Sequence, residues 1–163
     1  CESSCIMAIR DEYPDLLKGN QMAKEVSQNT FLIQQIISST AGDGLQQIKW
    51  TKRKLDIMLH VHCHERALLG TEAALNTLNY PAGYEAKLID AGCCGMAGSF
   101  GFEKEHYDIS MTIGEDRLFP AIRSAAQDVV VAVTGVSCKQ QVEDGTSRKA
   151  KYFSEVLSDA LED

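Results

Sequence analysis

No hydrophobic run in the chain approaches the ~20 residues that a membrane-spanning helix requires, so nothing in it reads as a transmembrane segment. The polar opening, Cys1 to Ser4, has no basic lead-in and does not read as a secretory signal. Positive charge is scarce: 16 Lys and Arg face 23 Asp and Glu, for a net charge of −7. Phosphate binding needs a clustered basic footprint, so a nucleic-acid partner is excluded. The one basic cluster, Lys49 to Lys54 around Trp50, is short and reads as a solvated lead-in to a strand. A dinucleotide fingerprint is missing as well. Gly95, Gly98 and Gly101 are spaced G-x-x-G-x-x-G, and no acidic ribose partner follows, so a close-packed turn is the better reading. There is no internal repeat and no low-complexity segment.

Six cysteines stand out against these absences. Without a secretory context, they point to reduced thiols rather than a disulfide framework. Buried structural thiols are the plain alternative, since free Cys is among the most buried residue types. The sequence pattern speaks against it.

Helical periodicity covers the first 40 residues: Cys5 to Glu12 until Pro14 interrupts, Gln21 to Gln28, and a third helix carrying Phe31, Leu32, Ile36 and Ile37. Residues 41–45, with Gly42 and Gly44, read as a loop. The pattern then alternates. Strands are expected at Leu55 to Val61, Tyr84 to Asp90 and Val129 to Val133. Helices are expected at Glu65 to Asn79, at Glu103 to Ala126 with breaks near Gly114 and Pro120, and in the stripe Phe153, Val156, Leu157, Ala160 and Leu161. This alternation predicts an α/β fold, a small parallel β-sheet flanked by helices. Cys63, Cys93, Cys94 and Cys138 each follow the carboxyl end of an expected strand. In an open parallel sheet those ends share one edge, where ligand sites gather. Soft thiolate donors collected there suit a metal or iron–sulfur centre.

The stretches Ser4-Cys5, His60 to His64 (HVHCH), Gly92 to Gly101 (GCCGMAGSFG) and Gly135 to Gln140 (GVSCKQ) resemble the cysteine-rich CCG domain family. That family occurs in the B subunit of heterodisulfide reductase, the iron–sulfur subunit of glycolate oxidase and the third subunit of anaerobic glycerol-3-phosphate dehydrogenase. The chain is similar in particular to the C-terminal iron–sulfur part of bacterial FAD-linked D-2-hydroxy-acid (D-lactate-type) dehydrogenases. Two departures matter. The C-x-x-C that often ends the family motif is Gly135-Val136-Ser137-Cys138 here, and His62 stands where many relatives have Pro. The missing cysteine disfavours a non-cubane cluster. The resemblance therefore implies Cys5, Cys63, Cys93, Cys94 and Cys138 as cofactor ligands of a [4Fe–4S] cluster, with one of Cys93 and Cys94 free not to ligate. Zinc, which also accepts four thiolates, stays open.

The resemblance also implies that residues 1–163 form one domain, a C-terminal piece of a larger oxidoreductase, inactive alone. Its expected partners are a flavin domain of the same polypeptide, holding FAD, and an acceptor such as a quinone or another redox protein. The expected location is cytoplasmic, peripheral at the inner membrane face. A docking zinc domain is the alternative function. His60, His62 and His64 flank Cys63, and alternate strand residues share a face, so a histidine ligand is a further alternative to the all-sulfur pattern. A cysteine nucleophile at Cys94 with His64 as base would leave the other cysteines unexplained.

Overall fold

The computed structural model describes residues 2–40 and 45–162; of the expected loop at 41–45, residues 41–44 lie outside the described residues, as does Cys1, and Leu45 opens a 3-10 turn instead. Four strands, β1 (Leu55–His60), β2 (Tyr84–Leu88), β3 (Val130–Val133) and β4 (Ala150–Tyr152), form a sheet of order β2-β1-β3-β4. Every neighbouring pair is parallel. The α/β fold expected from the alternating pattern is the fold observed. The register pairs His60 with Val133 and Leu59 with Leu88, so β1, β2 and β3 deliver their following loops to one edge.

The helices are α1 (Ser3–Met7), α2 (Tyr13–Leu16), α3 (Gln21–Gln28), α4 (Ile33–Thr40), α5 (Cys63–Leu69), α6 (Glu72–Leu78), α7 (Tyr107–Asp116), α8 (Leu118–Ser124), α9 (Val136–Thr146) and α10 (Phe153–Ser158). Strand alternation splits the core in two. Ile57, Leu59, Ala86 and Ala132 pack with Leu78, Phe153 and Val156 on one face. Val131 and Val133 pack with Phe119, Ile122 and Val142 on the other, and Cys94 and Cys138 belong to that second layer.

Several expected boundaries move, each for a local reason. Pro14 does not interrupt the first helix: a π-helical stretch, Ala8–Glu12, joins α1 to α2, and Pro14 falls in the first turn of α2, where its missing N–H costs little. Phe31 and Leu32 precede α4, which starts at Ile33. The long helix expected at 65–79 is two helices, parted at Gly70 with φ of +78°. The break expected near Gly114 and Pro120 lies instead at Arg117, between α7 and α8. Gly114 lies inside α7, where only a glycine leaves room for the Phe119 ring, which an added Cβ would meet at 2.3 Å. Strand β4 and helix α9 had no counterpart in the sequence pattern.

Candidate metal centre

His60 ends β1 and, by register with Val133, faces the layer that holds Cys94 and Cys138. Just beyond it the chain stays tied to β3: Thr134 N donates to the His60 carbonyl at 3.3 Å, and His62 N donates to Thr134 Oγ1 at 2.9 Å. Cys63 therefore enters at the first residue of α5, directly above the sheet edge. The segment after β2 is held by Arg66, whose guanidinium donates to the Ala91 carbonyl, and it delivers Cys93 and Cys94. Cys138 sits in the first turn of α9, which starts right after β3.

The turn after Cys94 is unusually wound. Gly95, Ala97 and Gly98 all have positive φ, at +98°, +44° and +67°. That conformation aims the Gly95 N–H back at Cys93 Sγ, 3.3 Å away. A hydrogen-bond relay fixes it from outside: Gln141 Nε2 donates to Ser110 Oγ at 2.9 Å, and Ser110 Oγ donates to the Gly95 carbonyl at 2.8 Å.

The four thiols lie against one another in series. Cys63 touches Cys93, Cys93 touches Cys94, and Cys94 touches Cys138. All are free cysteines; Cys94 and Cys138 are buried, Cys63 and Cys93 half-buried. Their proton affinities alternate. Cys93 is driven well below the ordinary thiol range by the neighbouring Cys63 and Cys94 thiols, with help from the Gly95 N–H. Cys138 is lowered to about 5, first by Cys94 and then by the imidazole of His60. The other two are raised: Cys63 by Cys93 and burial, Cys94 by Cys138 and Cys93. The site thus favours negative charge at Cys93 and Cys138 within a largely dry pocket. Burying that much negative charge is costly without a cation to neutralise it.

A ring nitrogen of His60 and the sulfurs of Cys94 and Cys138 lie within 4.8 Å of one another, the one such group of candidate metal donors among the described residues. These three side chains are 1%, 3% and 1% exposed. His60 Nε2 has no hydrogen-bond partner. An imidazole with an unpaired nitrogen, beside thiols that touch one another in series, fits a soft metal or iron–sulfur centre.

Cys5 is exposed on α1, and it is not among the groups that perturb the four clustered thiols. Helix α1 itself does reach the carboxyl edge: Ser3 Oγ lies 2.9 Å from the Thr134 carbonyl, and Val136 N donates to Glu2 Oε2 at 2.6 Å. From sequence, His60 ranked behind the cysteines as a donor, yet the structure sets it among the thiols; strand parity carried the signal, but not which face it pointed to.

A parallel α/β sheet with a thiol-rich site at its carboxyl edge defines a class of metal- or cluster-bearing domain rather than one protein. Comparison with known proteins narrows it. The chain is 32% identical over 172 residues to the C subunit of anaerobic glycerol-3-phosphate dehydrogenase from Escherichia coli (strain K12), covering 98% of this chain and 39% of that protein. It is 26% identical over 143 residues to D-2-hydroxyglutarate dehydrogenase of Haemophilus influenzae, covering 86% of this chain and 14% of that enzyme. The Pantoea ananatis enzyme of the same name is 34% identical over 85 residues, covering 52% of the chain and 8% of the enzyme. The chain thus spans well under half the length of these relatives. No protein-family model matches it, and no solved structure does. The similarity associates the chain with dehydrogenases.

Proposed function

We propose that this chain is the iron–sulfur electron-transfer domain of a flavin-linked dehydrogenase. The carrying observation is the meeting of Cys63, Cys93, Cys94 and Cys138, from three different strand ends, at one sheet edge. These thiols would hold a [4Fe–4S] cluster. When bound, such a cluster supplies one-electron oxidation and reduction at a thiolate-ligated iron site. The protein's own part is to shield and tune. Cys94 and Cys138 keep the inner side dry, while half-buried Cys93 opens on a cavity of about 330 Å³ lined by Thr112, Ile113, Asp116 and Arg117. The Gly95 N–H at Cys93 Sγ is the kind of hydrogen bond that raises a cluster's potential. No helix among the described residues is long and apolar enough to cross a membrane.

In this reading FAD and the substrate lie outside these residues, in a flavin-bearing domain or subunit. The substrate is a small hydroxylated anion of the kind the relatives' names give, glycerol 3-phosphate or a D-2-hydroxy acid. Electrons leave to a quinone or another redox protein. A structural zinc site is the second reading, favoured by one observation: the donors of His60, Cys94 and Cys138 are gathered as compactly as ligands of a single ion. Purification without oxygen, with iron, sulfide and zinc quantified, separates the two. Iron and sulfide in matching amounts, with absorbance near about 400 nm that reduction bleaches, support the proposal. One zinc per chain and no colour overturn it.

A further inference from the structure

The site has one more donor than its cysteines. We propose that His60 is itself a ligand of the metal centre, its imidazole joining the Cys94 and Cys138 thiolates in the buried half of the site. The ligand set is then mixed nitrogen and sulfur, and Cys5 is not needed to complete it. The inference rests on the reading that this edge holds a metal or iron–sulfur centre.

Four observations carry it. His60 is held by its backbone against β3, through the register with Val133 and the Thr134 N–H to its carbonyl. Its ring is 1% exposed, and its Nε2 lacks a hydrogen-bond partner. An unpaired nitrogen that deep is costly unless a ligand or a metal occupies it. A ring nitrogen of His60 lies within 4.8 Å of both buried thiol sulfurs, whereas Cys5 is exposed. His62 also lies near the site and has its own unpaired Nδ1, but its ring lies against Gly135, where a Cβ would come within 2.7 Å of its Cδ2, and it is not among the donors gathered within 4.8 Å of one another. A [4Fe–4S] cluster takes four protein ligands, so His60 would stand in place of one of the four thiolates; a neutral imidazole there removes one negative charge from the centre, which shifts its potential upward, as histidine ligation does in Rieske centres.

The chain has four histidines, so selective labelling can identify the ligand. The full chain is purified without oxygen with ¹⁵N-histidine and analysed for iron and zinc. Nitrogen hyperfine couplings are then read by pulsed EPR, on the reduced iron centre or, where zinc is the metal found, on the cobalt(II)-loaded site. The expected result is one strongly coupled histidine nitrogen, lost in His60→Cys, whose thiolate still retains metal. Strong coupling that persists in Cys5→Ser, His62→Asn and His64→Asn supports the same assignment should His60→Cys fail to fold. Weak couplings alone in the metal-loaded wild type overturn the inference and leave the metal reading standing. Strong coupling that survives His60→Cys, or vanishes in His62→Asn or His64→Asn, also overturns it. A chain holding neither iron nor zinc fails at the metal reading itself and takes the inference with it.

Discussion

Gly95 shows how much the site asks of single residues. Its φ of +98° is strained for any L side chain, and an added methyl would lie 2.1 Å from the Ser110 carbonyl oxygen. Gly95→Ala should therefore destabilise the fold by about 2–4 kcal/mol, combining backbone strain with overpacking. The melting temperature and metal content should fall together; an unchanged melting temperature would contradict this account of the turn. Charge alternation among the thiols gives a second test. Cys93 and Cys63 are similarly half-buried, but their contact lowers the proton affinity of the first and raises that of the second. In metal-free protein at pH 7, iodoacetamide should modify Cys93 at least about tenfold faster than Cys63, because only the thiolate is nucleophilic. Peptide mapping by mass spectrometry reads the ratio, and equal rates would refute the assignment. At this scale Cys63, Cys93, Cys94 and Cys138 were legible because each follows a run of strand residues. His60 was less so: alternation says that it shares a face with Met58, but only the order of the sheet says what that face meets.

At the scale of elements, what the sequence concealed was short or interrupted. Strand β4 is three residues long, too brief for alternation to register, and α10 begins at the next residue. Helix α9 buries Cys138, Gln141 and Val142 among mostly polar residues, so it shows little of an apolar stripe. The strands and most of the C-terminal stripe were plain because their buried residues recur at strand or helix spacing, Ile57 and Leu59 in β1, Tyr84 and Ala86 in β2, Phe153, Val156 and Leu157 in α10; Leu161 of that stripe is exposed beyond the helix end. One contact between elements was invisible in any local window. Glu65, 2% exposed on α5, lies 2.6 Å from Ser3 Oγ of α1 and 2.6 Å from Gln34 Nε2 of α4. It clamps the N-terminal helices to the helix that begins with Cys63. Glu65→Ala strips Gln34 Nε2 of its acceptor in a dry environment, at about 1–3 kcal/mol, while Ser3 Oγ keeps the Thr134 carbonyl, 2.9 Å away, as its acceptor. The denaturant midpoint should drop accordingly. Proteolysis near Arg10 and Lys18 should quicken as α1–α3 detach more often. Unchanged cleavage with a lowered midpoint would show that Glu65 stabilises the core without clamping those helices.

For the whole molecule, the parallel sheet decides where function can sit: both faces are covered by helices, and the carboxyl edge gathers the thiols. The candidate donors gathered there are sulfurs and an imidazole, a set suited to holding a soft metal rather than to substrate acid–base chemistry. A relay role makes a distinct kinetic prediction for the intact dehydrogenase. Cys94→Ser and Cys138→Ser each exchange a buried soft donor for a harder, weaker one, which should empty or cripple the centre. Reduction of the flavin by substrate requires only the flavin-bearing part, so bleaching in a single turnover should proceed at the wild-type rate. Steady-state transfer to the acceptor should fall by more than the roughly 10–100-fold that losing a mere hydrogen-bond partner costs a metal site. Stopped-flow absorbance of the flavin beside steady-state assays with a quinone separates the two steps. Equal loss of both, in a folded and flavin-loaded variant, would mean that the thiols support the flavin site itself rather than carry its electrons away.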